Sequence, residues 1–203
     1  MHEGVAIFEF YKPDRIVLGT DNQDIVNLTY ELYKNVMPET DPAATSLLFD
    51  LDDETATSAL AVSLSKCLEQ GDVVALSGDL GAGKTAFARA FIQALADQQQ
   101  TLIDEVPSPT FTIVQIYDEL VPPVWHVDLY RLEDRADTIE IGLEEGFEDG
   151  ITLIEWPDRL GDGLPADHLA MNFHMAEIAG ARKVSMTGHG NWQSRIASLE
   201  LTT

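Results

Sequence analysis

One segment near the middle of the chain has the residue types and spacing needed to hold phosphate groups. It reads Gly78-Asp79-Leu80-Gly81-Ala82-Gly83-Lys84-Thr85 and matches the pattern G-x-x-x-x-G-K-[ST] at every fixed position. The backbone N–H groups of such a loop surround phosphate oxygens together with the N-terminus of the helix that follows. We expect all of these residues to bind a nucleoside triphosphate, with Lys84 at the β- and γ-phosphates and the Thr85 hydroxyl on Mg²⁺.

The residues on either side of this loop have the patterns of a strand and a helix. Val73 to Ser77 is a short apolar run of strand length, and Phe87, Phe91 and Leu95 recur at intervals of four residues after the loop. A glycine-rich turn that binds nothing would also connect a strand to a helix. The complete motif in this setting favours phosphate binding.

Two carboxylates directly follow apolar runs of strand length. Glu155 follows Ile151 to Ile154, and Asp128 follows Val124 to Val127. Ligands of parallel α/β sheets bind at the carboxyl ends of the strands, so both side chains could face the nucleotide. One would complete the Mg²⁺ shell, directly or through water, and the other would orient or deprotonate the attacking water. Each could instead cap a helix or face solvent.

Two basic or titratable side chains lie beside Asp128. His126 is two residues earlier and on the same strand face, where it could hydrogen-bond Asp128 or pack in the core. Arg131 could hold a phosphate or a carboxylate, or pair with the abundant acidic residues nearby.

A segment with two hydroxyl residues, each preceded by a proline, lies after the loop helix. It reads Pro107-Ser108-Pro109-Thr110-Phe111. Ser108 and Thr110 could sense a γ-phosphate, as the switch segments of GTPases do. The alternative is an ordinary proline-bounded turn.

The composition is that of an acidic globular protein. The 203 residues carry a formal net charge of −23, which repels nucleic acid and has to be overcome locally at a nucleotide site. The acidity suits solubility or a halophilic or marine habitat, or a docking surface for a basic partner. The lone Cys67 excludes an intrachain disulfide and fits a reducing compartment. No apolar run approaches a membrane span and the N-terminus lacks a secretion signal, so we expect a cytoplasmic protein.

The order of patterns predicts an α/β fold. From residue 46 to 203 strands and helices alternate, which favours a three-layer P-loop NTPase domain with a mainly parallel central sheet. Residues 1–45 read as a small N-terminal α/β extension of unknown role, with a strand at Val5 to Tyr11, a following helix and a proline-containing linker. The predicted elements of the larger part are these: strands at Leu47 to Leu51, Val73 to Ser77, Thr112 to Tyr117, Val124 to Leu129, Ile151 to Ile154, Leu169 to Met175 and Lys183 to Thr187, and helices from Asp52 or Asp53 to about Glu69, from the loop to about Asp97, from Glu133 to Gly142 and from Trp192 to Leu199.

Four motifs occur in an order that is similar to a known family. They are the phosphate loop, Ser108-Pro109-Thr110-Phe111, His126-Val127-Asp128-Leu129-Tyr130-Arg131-Leu132 and Ile154-Glu155-Trp156-Pro157, with weaker matches at Gly142-Leu143-Glu144-Glu145 and Leu164-Pro165. Over about residues 47–190 the chain resembles the TsaE (YjeE) family, the small ATPases of bacterial tRNA threonylcarbamoyladenosine synthesis.

The resemblance implies an ATPase that is weak alone and acts within a complex. Its cofactors would be ATP and Mg²⁺, and its turnover would support formation of N6-threonylcarbamoyladenosine at position 37 of tRNAs that read ANN codons. Its partners would be the threonylcarbamoyl-transferase subunit and the inactive paralogue of that subunit. Those partners would hold the tRNA, so neither strong direct nucleic-acid binding nor a membrane is expected.

The resemblance also assigns roles to individual residues. Thr85 and Glu155 would ligate Mg²⁺, and Lys84 and Asp128 would be the catalytic residues, with Asp128 needed for hydrolysis.

Further assignments follow from the same resemblance. Ser108 and Thr110 would belong to a switch-like segment, and Trp156 would lie at the nucleotide or partner face. Thr55, near the start of the first core helix, would approach the adenine. Family members usually begin near the first core strand, so the resemblance assigns no role to residues 1–45.

Two other classes of function are compatible with a phosphate loop. A P-loop small-molecule kinase would need a lid with basic residues, whereas the segment between Asp128 and Glu155 holds only Arg131 and Arg135 among many acids. A nucleotide-gated binding module without useful turnover is the third possibility.

Overall fold

The computed structural model describes residues 46–132, 141–199 and 201–202. The predicted N-terminal extension, residues 1–45, lies outside the described residues, as does most of the helix predicted from Glu133 to Gly142. The described elements, in chain order, are β1 (Ser46–Leu51), α1 (Glu54–Leu64), β2 (Val73–Gly78), α2 (Lys84–Gln99), β3 (Val114–Tyr117), β4 (Val124–Asp128), α3 (Leu143–Asp149), β5 (Ile151–Glu155), a 3₁₀ segment (Pro157–Gly163), β6 (His168–Met175), β7 (Arg182–His189) and α4 (Trp192–Ile196).

The strands of the described chain form one seven-stranded mixed sheet in the order β1-β7-β6-β2-β5-β4-β3. The pairings β6–β2, β2–β5 and β5–β4 are parallel, and the other three are antiparallel. The expectation of a mainly parallel sheet is therefore wrong at both edges. Strands β3 and β4, and likewise β6 and β7, are joined by connections too short for the crossover that a parallel pair requires.

Buried side chains pack on both faces of the sheet, so the fold has three layers. Helices α1 and α2 cover one face, where Leu76 of β2 and Leu153 of β5 meet Phe87 of α2 in the larger core. Helix α3 and the 3₁₀ segment cover the other face through Leu143 and Leu160. Neighbouring residues of one strand enter opposite cores because strand side chains alternate.

Most predicted elements are confirmed to within a few residues, and helix α1 is the main exception. It begins after Asp53, whose side-chain Oδ1 accepts a hydrogen bond from the backbone N–H of Ala56 at 2.9 Å. It ends at Leu64 and not near Glu69. After Leu64 the N–H groups of Lys66 and Cys67 bond to carbonyls only three residues earlier, so the α-helical pattern stops. The Asp72 carboxylate then accepts the N–H of Glu69 at 2.7 Å and closes a turn over residues 69–72.

Two short helical elements were not predicted. Helix α3 spans seven residues, and the 3₁₀ segment bends at Gly161. Trp156 precedes the 3₁₀ segment at φ +61°, a left-handed backbone conformation that no pattern in the sequence announces. Within the described residues, no helix combines the length and apolar character that crossing a bilayer requires.

Two histidines face each other where β6 begins and β7 ends. His168 and His189 are register partners, and their rings stack with centroids 4.3 Å apart. Burial lowers the pKa of His168 below its ordinary value of 6.5, and repulsion from His189 adds to this effect. The hydrogen bond from Nδ1 to the Pro165 carbonyl, at 2.7 Å, opposes the shift without cancelling it.

We expect this histidine pair to make the fold less stable in mild acid. Below about pH 6.5 the unfolded chain takes up a proton on His168 that the folded chain resists, so the free energy of unfolding falls as pH drops through the lowered pKa. Well above about pH 6.5 His168 is neutral in both the folded and the unfolded chain, so the full stability is present. His168→Asn, which keeps a donor for the Pro165 carbonyl, should lose less stability over this window.

The measurement is thermal unfolding, followed by circular dichroism, at about pH 7.5 and about pH 5. His174→Asn, an exposed change on the same strand, is the control and should follow the parent. The assignment is wrong if His168→Asn loses as much stability as the parent.

Candidate nucleotide site

A cavity of about 480 Å³ lies at the carboxyl ends of the parallel strands β2, β5 and β4. This edge of the sheet is where α/β folds bind ligands. The residues that line the cavity are Asp53, Glu54, Thr57, Leu80, Gly81, Gly83, Lys84, Thr85, Ala86, Ser108, Thr110, Asp128, Tyr130, Glu155, Trp156, Gly180 and Arg182.

The phosphate loop connects β2 directly to α2, as predicted. Gly78 has φ +132°, and a Cβ at this position would lie 2.3 Å from the backbone oxygen of Phe173. Gly83 has φ +115° and immediately precedes the helix. Only glycine readily combines these backbone angles with so close an approach of two chains.

Lys84 is folded back onto the loop that it follows. Its Nζ donates hydrogen bonds to the carbonyls of Gly78, at 2.6 Å, and Asp79, at 2.9 Å. The ammonium group also lies over the Trp156 ring, 4.1 Å from the centroid, and the residue is only 4% exposed. The lysine is therefore held at the helix start, where phosphate groups bind in loops of this pattern.

Burial governs the ionisation of Lys84. Desolvation lowers the pKa of the ammonium group below its ordinary value of 10.5, although the carboxylates of Glu155 and Asp128 act in the opposite direction. A bound anionic phosphate would add to the effect of the carboxylates and favour the charged lysine.

Glu155 links three elements through its two carboxylate oxygens. Oε2 accepts a hydrogen bond from the Thr85 hydroxyl of α2 at 2.8 Å, and Oε1 lies 2.9 Å from Nε2 of His126 on β4. His126 is fully buried, and its Nδ1 has no hydrogen-bond partner. The hypothesis that His126 bonds Asp128 is therefore wrong, because the imidazole reaches across to the adjacent strand.

Asp128 is held by the proline-containing segment from Pro107 to Phe111. Its Oδ2 accepts a hydrogen bond from the Thr110 hydroxyl at 2.6 Å, and its Oδ1 accepts the N–H of Tyr130 at 3.0 Å. The Ser108 and Thr110 hydroxyls lie 2.8 Å apart. Ser108, Thr110 and Asp128 thus form one hydrogen-bonded group on the wall of the cavity.

The Thr85 and Glu155 oxygens fit a divalent magnesium ion. Cis oxygens of an octahedron with Mg–O bonds of 2.0–2.1 Å are about 2.9 Å apart. The hydrogen bond between the two oxygens holds them 2.8 Å apart, close to that separation, and both atoms are hard oxygen donors. The described residues contain no group of three or more His, Cys, Asp or Glu side chains that could hold a metal by themselves. The pair therefore suits an ion that takes its remaining ligands from substrate phosphates and water.

Of the other residues that the sequence singled out, Trp156 lines the cavity, whereas Thr55 and Arg131 do not. Trp156 lines it, with its ring 5.0 Å from that of Tyr130. Thr55 is exposed on the first turn of α1 and does not line the cavity, whereas its neighbours Glu54 and Thr57 do. Arg131 has its guanidinium 5.5 Å from the centroid of the Phe111 ring.

Sequence reasoning missed Arg182, the second basic residue on the cavity wall. It lies 100 residues after Ala82 in sequence, and its Nε donates to the carbonyl of Ala82 at 2.8 Å. No motif surrounds it. The scarcity of Lys and Arg, 12 in the whole chain, was the one signal that could have drawn attention to it.

The loop, its lysine and threonine, and the two strand-end carboxylates place this fold in the phosphate-loop class of nucleotide-binding proteins. Comparison with known families narrows the class. The family model described as "Threonylcarbamoyl adenosine biosynthesis protein TsaE" matches residues 51–184, more than half of the chain. The chain belongs to the TsaE family.

Individual relatives agree with this family. The chain is similar to the tRNA threonylcarbamoyladenosine biosynthesis protein TsaE of Bacillus subtilis, with 37% identity over 66% of this chain and 81% of the relative. It is 39% identical to the protein of the same name from Rickettsia felis, over 63% of this chain and 72% of that one. Its fold is similar to the crystal structure of YdiB from Bacillus subtilis, with a TM-score of 0.63, 30% identity, and coverage of 77% of this chain and 95% of that one.

The contact between Gly78 and Phe173 predicts that Gly78→Ala severely destabilises the protein. The new Cβ would meet a backbone oxygen that cannot move aside without shifting β6, and φ is unfavourable as well. We expect the free energy of unfolding to fall by about 2–5 kcal/mol, from overpacking and backbone strain together. Denaturation in urea measures it.

Gly163→Ala is the control, because the nearest atom to its new Cβ would be the Leu160 Cβ at an ordinary 3.9 Å. It should change the free energy of unfolding by no more than about 0.5 kcal/mol. Equal effects of the two variants would contradict the close approach at Gly78.

Proposed function

We propose that this chain hydrolyses ATP to ADP and phosphate, with Mg²⁺, in support of tRNA threonylcarbamoyladenosine synthesis. As a TsaE protein it belongs to that biosynthesis. The observation that carries the proposal is that Asp128 and Glu155 are register partners on β4 and β5, beside the phosphate loop. The two carboxylates have different hydrogen-bond partners, which suits them to separate tasks.

Binding of the triphosphate would be the task of the loop and the start of α2. The loop N–H groups and Lys84 would hold the phosphates. Thr85 and Glu155 would hold Mg²⁺, which neutralises phosphate charge when bound. His126 keeps the Glu155 carboxylate turned toward Thr85 through its hydrogen bond to Oε1.

Hydrolysis would depend on Asp128. A carboxylate next to the γ-phosphate position can orient the attacking water and accept its proton. The Thr110 hydroxyl, bonded to Oδ2, ties this carboxylate to the segment that carries Ser108. We infer that a change in the Ser108–Thr110 segment on nucleotide binding alters the availability of Asp128, as expected for a switch.

The basic residues of the cavity favour hydrolysis over kinase chemistry. A P-loop kinase closes a lid with basic side chains over the transferred phosphate. Among the described residues that line the cavity, the basic ones are Lys84 and Arg182, and both are bonded to loop carbonyls.

We propose that the partners are the threonylcarbamoyl-transferase subunit and its inactive paralogue, in the cytoplasm. Leu80, at 71% exposed, lies on the cavity wall, and Phe111, at 84%, follows the switch-like segment. These two exposed apolar side chains would be available to contact the partners. Residues 1–45 would be a separate extension of the ATPase domain at residues 46–203.

Release of inorganic phosphate tests the proposal. The chain is incubated with ATP and Mg²⁺, with and without the transferase pair. We expect phosphate release, no phosphorylated acceptor, and faster turnover with the pair. Transfer of phosphate to a metabolite would favour the kinase alternative, and absence of turnover with the pair would contradict the ATPase proposal.

Two variants should separate binding from hydrolysis. Asp128→Asn should retain nucleotide affinity and lose about a hundredfold or more in rate, the usual contribution of a general base. Lys84→Ala should weaken nucleotide binding, measured by calorimetry, because the phosphate-contacting cation is gone. An Asp128→Asn protein that turns over at the parent rate in the reconstituted complex would remove Asp128 from the mechanism.

Glu155→Gln should raise the Mg²⁺ concentration needed for half-maximal binding of ATP by at least about tenfold, the lower range for losing even an outer-shell partner of a metal. The amide oxygen can still accept a hydrogen bond from the Thr85 hydroxyl, and the amide nitrogen can donate to Nε2 of the other His126 tautomer. Circular dichroism checks that the variant keeps the parent fold. Asp158→Asn, an exposed carboxylate three residues further, is the matched control. An unchanged Mg²⁺ requirement in Glu155→Gln would exclude Glu155 from the metal shell.

A further inference from the structure

Arg182 makes all of its described hydrogen bonds to backbone carbonyls. It lies at the start of β7, where Nε donates to the Ala82 carbonyl at 2.8 Å and Nη2 donates to the Gly81 carbonyl at 3.3 Å. Nη1 donates to the carbonyl of its neighbour Ala181 at 2.8 Å. One guanidinium therefore links the strand to two successive peptide groups of the phosphate loop.

The loop rests on the adjacent ends of β6 and β7. A Cβ at Gly81 would lie 3.7 Å from Cε of Met175, and a Cβ at Gly83 would lie 3.8 Å from both the Phe173 ring and Arg182 Nε. Met175 and Arg182 are themselves register partners. Together with the contact between Gly78 and Phe173, these approaches show that three glycines of the loop pack against the ends of β6 and β7.

Planarity of the peptide bond converts these hydrogen bonds into a constraint on the loop N–H groups. In a trans peptide the C=O and the N–H of the next residue point in opposite directions. Because the Ala82 carbonyl is bonded to Arg182, the N–H of Gly83 points away from Arg182. The N–H of Ala82 donates a hydrogen bond to the Asp79 carbonyl within the loop, at 3.1 Å. The orientation of the Gly83 peptide is thus set from outside the loop.

We propose that Arg182 is a positioning residue that holds the carbonyls of Gly81 and Ala82, and so shapes the phosphate loop for its ligand before the nucleotide binds. This inference rests on the nucleotide binding proposed above. An arginine suits the task because its planar fork presents several donors in fixed directions, whereas a lysine is a single point of charge. Its positive charge also offsets part of the acidity of the cavity, whose wall includes Asp53 and Glu54.

The test compares Arg182→Gln and Arg182→Lys in the full chain. Affinities for ADP and for a non-hydrolysable ATP analogue are measured by calorimetry, and exchange of the amides of residues 81–85 is measured without nucleotide. We expect both variants to weaken both ligands by a similar factor of about ten- to a hundredfold, because binding would then have to supply the free energy with which the arginine hydrogen bonds order the loop. Amide exchange in the loop should become faster in both.

Lys183→Gln is the matched control. It removes one positive charge from the next position of β7, and its exposed ammonium lies 3.5 Å from Asp50. Its affinities and loop exchange should equal those of the parent. If Arg182→Gln does not fold by circular dichroism, Arg182→Lys decides the question alone.

Three results would overturn the inference. Parent-like affinity and exchange in Arg182→Lys would reduce the role of Arg182 to its charge. Weakening of the ATP analogue alone would indicate a direct contact with the γ-phosphate. Parent-like behaviour of both variants would remove Arg182 from the site. Failure of the proposed nucleotide binding is distinguishable, because the parent and Lys183→Gln would then bind neither ligand.

Discussion

A buried carboxylate is stable in a protein only when its oxygens are satisfied, and Glu155, 2% exposed, meets this condition through two other elements. Thr85 at the start of α2 donates to one oxygen, and His126 of β4 lies against the other. Strand β5, strand β4 and the loop helix are therefore joined at one point. The position of Asp128 follows from the same constraint, because it is the register partner of Glu155 on β4. The candidate site is consequently part of the sheet core.

Charge is the second constraint on this protein. A chain with a net charge of −23 has to bind an anion in a cavity whose wall carries Asp53, Glu54, Asp128 and Glu155. The two positive charges of Lys84 and Arg182 cannot balance the negative charge of these four carboxylates and a triphosphate. Backbone N–H groups add favourable dipoles without requiring a buried charge, and a divalent ion shared by phosphate and carboxylate offsets the rest. The acidic wall thus makes the shape of the loop more important than the number of basic residues.

Local patterns in the sequence predicted the part of the structure that holds the phosphate loop. The loop, its strand and its helix were predicted because their patterns lie within a few dozen residues. Asp128 and Glu155 were placed at the same edge of the sheet because both end apolar runs. The antiparallel edges, the turn that ends α1 and the partner of His126 were predicted incorrectly. The pairing of β1 with β7 and the contact of His126 with Glu155 join distant parts of the chain, for which no local pattern exists. The short β3–β4 and β6–β7 connections and the turn at Glu69 to Asp72 are local features whose meaning was overlooked.

By itself, the sequence determined the presence of a phosphate loop, its position between a strand and a helix, and the two carboxylates that follow apolar strands. These are consequences of residue type and short-range spacing. The tertiary structure decided which atoms meet: Glu155 with Thr85 and His126, Asp128 with Thr110, and the loop with Arg182. The physical reason is that hydrogen bonds are satisfied in three dimensions, so that residues as far apart as Ala82 and Arg182 become partners only when the sheet brings their strands and loops together.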